Sequence, residues 1–220
     1  MLLGVKYYMS LQFEFKKKSF ILVGILGVFA ALLTVLLDFF PHDNIWTLSS
    51  FSGSFGFWGF STAVIVYLST SKKAAGLNSF IYLAMMSVFF YIFKGISDTL
   101  NGVADYEMEY LWLGISWIIA SAICGIFGVI TFLGKRNDIF GSFIFSLPLA
   151  VILSEGISCM CSVIINEKYL FQTIFNFIAA VLLYILFIEK KSHFKTLLFT
   201  GGITAIFVVI MYYTDYLIIY

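Results

Sequence analysis

The sequence predicts an all-α fold, a polytopic transmembrane helical bundle of about seven spans. Three observations predict it: an apolar composition, the length of the apolar runs, and the sorting of charge to two sides. The chain is 61% hydrophobic and 11% charged, whereas soluble domains are about 45–50% apolar and about 25% charged. A water-soluble core built from 220 residues cannot hide that much apolar surface, so lipid must be the solvent for much of it. A spanning helix needs about 20 predominantly apolar residues, and with short loops no separate soluble domain fits. Each span must be helical, because an open strand in hydrocarbon leaves backbone groups unpaired.

Residues 1–18 read as a basic cytoplasmic segment, and residues 19–220 as a single transmembrane helical domain. The first span is 19–40, preceded by Lys16, Lys17 and Lys18 and closed by Pro41, His42, Asp43 and Asn44. At about 22 residues it exceeds the roughly 7–15 of a cleavable signal, and no small-x-small site follows. It is therefore expected to be retained. The second span is 46–69, closed by Ser71, Lys72 and Lys73; the third is 79–96, followed by an acidic loop over 97–109. The fourth is 110–133, closed by Gly134, Lys135 and Arg136. The remaining three are 139–165, 169–188 and 196–216.

Charge tests this assignment, because cations accumulate in cytoplasmic loops. Lys6, Lys16, Lys17, Lys18, Lys72, Lys73, Lys135, Arg136, Lys190, Lys191 and Lys195 all fall on one side, leaving only Lys94 and Lys168. The opposite side collects Asp43, Asp98, Asp105, Glu107, Glu109 and Glu167, with Asp38 and Asp215 near its surface. A wrong span count would scramble that alternation. The expected topology has the N-terminus in the cytoplasm and the C-terminus outside. Trp46, Tyr106, Tyr110, Trp112, Tyr169, Tyr212, Tyr213 and Tyr216 cluster toward the outer boundary, as interfacial anchors do.

Glu155 is the most informative single residue. It lies in Leu153-Ser154-Glu155-Gly156, slightly outward of the middle of span five, where a charged side chain costs roughly 2.5–3.5 kcal/mol on insertion scales. It should face the protein interior or a water-filled cavity, and needs a proton, a cation or hydrogen-bond donors beside it. Ser158, Cys159 and Ser162 follow it at helical spacing, as one polar stripe toward the outer face. Pro148 removes a backbone hydrogen bond below it. Gln172 and Asn176 are one turn apart on span six, and Asn176 reaches roughly the depth of Glu155, so it can donate to it. Such interhelical pairs are worth only about 0.6–2 kcal/mol and often serve assembly alone. Lys94 and Asp98, at i and i+4, are expected to pair locally.

Span two mixes Ser49, Ser50, Ser52, Gly53, Ser54, Gly56 and Gly59 with Phe51, Phe55, Phe57, Trp58 and Phe60. Small residues four apart permit close helix approach; Ser52 with Gly56, Ser121 with Gly125, and Gly27 with Ala31 are such pairs. The other reading is that exposed backbone and rings, Trp58 among them, line a pocket for a planar or apolar ligand.

Other chemistries are argued against. Cys159-Met160-Cys161 is not C-x-x-C spacing, and Cys124, Cys159 and Cys161 all fall within spans, as packing residues do. A zinc hydrolase needs three or four ligands, and the two histidines, His42 and His193, fall on opposite sides. No H-E-x-x-H, G-x-S-x-G or P-loop pattern occurs. The basic clusters form no continuous face for nucleic acid.

The segment 117–156, with part of span two, resembles an uncharacterised family of small bacterial multi-span membrane proteins of unknown function. The likeness is carried by Phe57, Trp58, Gly59 and Phe60, then by Trp117, Gly125, Phe127 and Gly128, and last by Glu155 late in the next span. These cover about half the chain, and the resemblance implies no activity.

The expected role is a small-solute binding or transport component of a bacterial cell membrane, with an outward-facing cavity. Its expected ligand-binding residues are Glu155, Asn176, Gln172, Ser158 and Trp58; no catalytic residue, metal site or cofactor is expected. The partners would be the lipid bilayer, a small solute or cation, and a membrane or ATPase protein supplying energy. The alternative is a non-catalytic membrane scaffold or accessory subunit that docks a partner through its small-residue faces.

Overall fold

The structure, a computed structural model, describes residues 12–41, 44–102, 107–188 and 191–213, and only the backbone of 107–109. Lys6, His42, Asp43, Asp105, Tyr106, Lys190, Asp215 and Tyr216, and the side chains of Glu107 and Glu109, lie outside the described residues. Seven α-helices run along these residues: α1 (Lys17–Leu37), α2 (Phe55–Leu68), α3 (Lys72–Leu100), α4 (Glu107–Thr131), α5 (Ile139–Asn166), α6 (Leu170–Phe187) and α7 (His193–Tyr213). No strand is longer than an isolated bridge between Phe13 and Ser69 among the described residues. Six of the helices, all but α2, are long and apolar enough to cross a membrane. The fold is an all-α bundle and fits a multi-pass integral membrane protein.

Span two departs from the reading of it as one continuous helix over 46–69. Leu48–Gly53 form a 3-10 turn and the α-helix begins only at Phe55. Fourteen residues rise about 21 Å, short of the roughly 30 Å hydrocarbon core. Span three departs in the other direction. α3 starts at Lys72, because Ser71 caps it by accepting from the Ala74 N–H at 3.2 Å. The supposed basic loop is thus the first turn of a helix.

Two compact units divide the chain: Met1–Ala30 with Val64–Phe132, and Ala31–Ala63 with Leu133–Tyr220. In the first, Phe13 donates its N–H to the Leu68 carbonyl at 2.9 Å and accepts from the Thr70 N–H at 3.0 Å. This pins the chain before α1 to the turn that opens α3. α3 packs on α4 where side chains are missing. A Cβ on Gly76 would come within 3.0 Å of the Gly125 carbonyl oxygen, and one on Gly128 within 2.7 Å of Ser79 Oγ. Gly27 of α1 likewise lies against the Tyr82 carbonyl. At the far end of α3, Lys94 and Asp98 pair at 3.4 Å, and the Tyr110 hydroxyl donates to Asp98.

In the second unit α5 is the central helix, packed on both α6 and α7. Asp138 caps it, accepting from the Gly141 N–H at 2.7 Å and from the Arg136 Nε–H at 2.9 Å. The Gly141 N–H first, and the Arg136 guanidinium after it, hold the Asp138 carboxyl below its ordinary 3.8. The turn into α6 is tight, with Glu167 at φ 54° and Tyr169 at φ 69°. Both are side-chain-bearing residues in the left-handed region that normally favours glycine.

Candidate functional site

The helix break at Ser54 and the glutamate of α5 meet in the second unit. The first amides of any α-helix lack intrahelical partners. Ser54 stands at the N-cap of α2: its Oγ accepts from the Phe57 N–H at 3.4 Å, and its carbonyl takes the Trp58 N–H at 3.2 Å. The two amides left over are taken by a residue about 100 positions away. The Phe55 N–H donates to Glu155 Oε1 at 2.9 Å, and the Gly56 N–H donates to Glu155 Oε2. Two side chains complete the shell on Oε2: the Ser54 hydroxyl at 3.1 Å and Asn176 Nδ2 at 3.2 Å. Glu155 is only 1% exposed.

Ser54 supplies the half of a capping box that takes the Phe57 N–H, and a carboxylate from another helix takes the two amides between them. The helix N-terminus carries a partial positive charge, which favours an anion there. An ionised carboxylate is acceptor-only and has room for about four donors; Glu155 faces four, all of them neutral. No lysine or arginine pairs with it among the described residues. Of the proton, cation or donors that a buried glutamate needs, the structure supplies donors, two of them from a helix terminus.

Gly56 is held to glycine by the same contacts. A Cβ there would overlap Asn176 Oδ1 and sit 2.6 Å from Glu155 Oε2. Gly59, one turn along α2, is different: its nearest neighbours would be Ile152 and Val151 side chains at 3.8 and 4.0 Å.

The structure brings together Glu155 and Asn176 of the expected site residues, and places the others around them. Gln172 turns away from Glu155 and donates through Nε2 to the Thr47 carbonyl at 2.8 Å. Thr47 also accepts through Oγ1 from the Tyr169 N–H at 3.1 Å, and the Ile45 carbonyl accepts from the Leu170 N–H at 2.9 Å. The loop before α2 therefore caps α6, as α5 caps α2. Asn44 shapes that loop by accepting from the Trp46 and Thr47 N–H groups, each at 3.0 Å. Trp58, half-buried, donates its indole N–H to the Ser52 carbonyl at 2.7 Å and so straps the 3-10 turn to α2 across the break. Phe51 of the turn packs its ring against Phe57, Phe171 and Phe175 at 4.7, 5.1 and 4.9 Å.

Ser158 is buried but does not reach the carboxylate. Its Oγ, with Asn176 Oδ1 and Gln172 Oε1, is a buried polar atom with no hydrogen-bond partner among the described residues. Such atoms are uncommon in native proteins, and the one on Asn176 belongs to a side chain that already holds Glu155. Cys159 is buried on the same helix and, like Cys124 and Cys161, is free.

Ser54, Thr47 and Asn44 were not legible as site residues. The Ser-Gly composition of span two was a visible signal of a break, but tight packing accounts for it equally well. The Thr47 carbonyl, a backbone atom, carries no signal at all.

No protein-family model, curated protein or solved structure matches this chain.

Proposed function

We propose that the chain is a small-solute binding or transport component of a bacterial cell membrane, working through the break before α2. A single observation carries this reading: a helix starts within an apolar segment, and its first amides close on a buried glutamate of another helix. Discontinuous helices of this kind form the substrate and ion sites of many secondary transporters. Here the anion at the helix terminus is the protein's own side chain, so Glu155 holds the site in a self-bound state. A proton or a small cation arriving at Glu155 competes with the four donors. Protonation turns one carboxyl oxygen into a donor and leaves it a poorer acceptor for an N–H, and so loosens α2. Asn176 Oδ1 and Ser158 Oγ then offer further oxygens to a cation or a protonated amine. The proposed access is from the outer side, where the acidic residues gather and would concentrate cations.

The scaffold alternative rests on small-residue faces left for a partner. Gly56, Gly125 and Gly27 all lie against residues of this chain, which favours the first reading. To test the proposal, purified wild type, Glu155→Gln and Asn176→Ala would be incubated with sodium, potassium and small amines. Binding would be read by native mass spectrometry, and uptake in reconstituted vesicles. One cation or amine should bind the wild type, more weakly Asn176→Ala, and not Glu155→Gln. If both variants bind and move every probe as the wild type does, the reading is wrong.

A further inference from the structure

The first unit carries an open groove of about 480 Å³ beside the α3–α4 crossing. Phe15, Phe80, Ile126, Gly76 and Gly125 line it, and Lys73 stands among the lining residues. The groove exists for the reason the helices approach so closely. Glycines at the crossing bring backbones together and leave a depression between the larger residues on either side. The bridge of Phe13 to the Leu68–Thr70 turn sets the short segment that carries Phe15 beside the start of α3.

We propose that this groove holds one acyl chain of an anionic phospholipid, with the lipid phosphate at Lys73. Lys73 lies in the first turn of α3, the end of a helix where a cation is least favoured. That turn contains no acidic residue, and Lys73, exposed, makes no ion pair among the described residues. Its neighbour Lys72 doubles the charge. An anion from outside the chain is what balances the pair. From Lys73 to Phe80 the groove follows two turns of α3, a rise of about 10 Å, enough for the upper part of an acyl chain. Lysine-lined pockets between spanning helices are a recognised setting for acidic headgroups. An apolar groove alone would accept any lipid; the lysine makes it selective for a negative one.

The experiment is native mass spectrometry of the full chain, extracted in mild detergent with equal phosphatidylglycerol and phosphatidylcholine of identical acyl chains. The wild type should retain one phosphatidylglycerol in preference to phosphatidylcholine. Lys73→Gln should lose about fivefold of that preference. Ala122→Phe, which fills the groove from an exposed lining position, should retain neither lipid. Unfolding temperatures equal to wild type would show that both variants are folded; if one is not, Ala122→Leu or Lys73→Met replaces it. Equal retention of the two lipids by the wild type, or an unchanged preference in Lys73→Gln, would overturn the proposal.

Discussion

The α3–α4 pair and the α2–α5–α6 group hold helices together by opposite chemistry. Between α3 and α4 the contact is made by what is missing: glycines let carbonyl groups and Cα atoms meet, and dispersion does the rest. Around Glu155 the contact is made by one side chain that four donors require. The first kind of joint degrades gradually as it is loosened. The second hangs four hydrogen bonds on a single side chain. The difference separates a joint made by shape from one made by a single acceptor.

The largest expected effect comes from removing the shared acceptor. Glu155→Ala takes the shared acceptor away from the Phe55 and Gly56 amides, the Ser54 hydroxyl and Asn176 Nδ2. The loss should be on the order of 3–5 kcal/mol, visible as a large drop in the thermal unfolding midpoint in detergent. Next comes a contrast within one helix. Gly56→Ala forces a methyl group into Asn176 and Glu155 and should cost about 1–3 kcal/mol. Gly59→Ala meets ordinary contacts and should stabilise α2 by roughly 0.5–1 kcal/mol. If the two substitutions shift the unfolding midpoint in the same direction, the cap does not govern α2.

The glycine joint supplies the intermediate case. A Cβ at Gly125 would lie 3.0 Å from the Gly76 carbonyl and 3.1 Å from Phe80 Cβ, so Gly125→Ala should cost about 1 kcal/mol. It should leave any pH dependence of α2 untouched. Smallest of all is the cap of α5. The Asp138 carboxyl is held below its ordinary 3.8, so its contribution is complete above that value and is lost as pH falls through the lower, folded-state one. Acid titration of wild type against Asp138→Asn should show a slightly steeper loss of stability below about pH 4 in the wild type.

Much of the fold was legible because hydropathy is local. The boundaries of α5 and α6 lie within a residue or so of those read from apolar runs and their flanking charges. Span two was misread because its serines and glycines suit tight helix packing as well as a break, and the residue that takes the first amides of α2 sits on another helix. The early start of α3 had a local signal in Ser71, but the polar Lys72, Lys73 and Asn78 delayed the hydropathic reading of the span. In the site, depth alone predicted that Asn176 can reach Glu155, and Asn176 does donate to it. Depth could not show that two of the other three donors are backbone amides, since every residue but proline has one.

The distant cap also sets a schedule. Chains emerge from the ribosome at about 5–20 residues per second, and Glu155 follows Phe55 by 100 positions. For about 5–20 s, the first turn of α2 exists without the carboxylate that completes it. During that interval two strong amide donors in an apolar segment must be served by water, by lipid headgroups or by the membrane-insertion machinery. α2 is thus an early-made, late-finished helix.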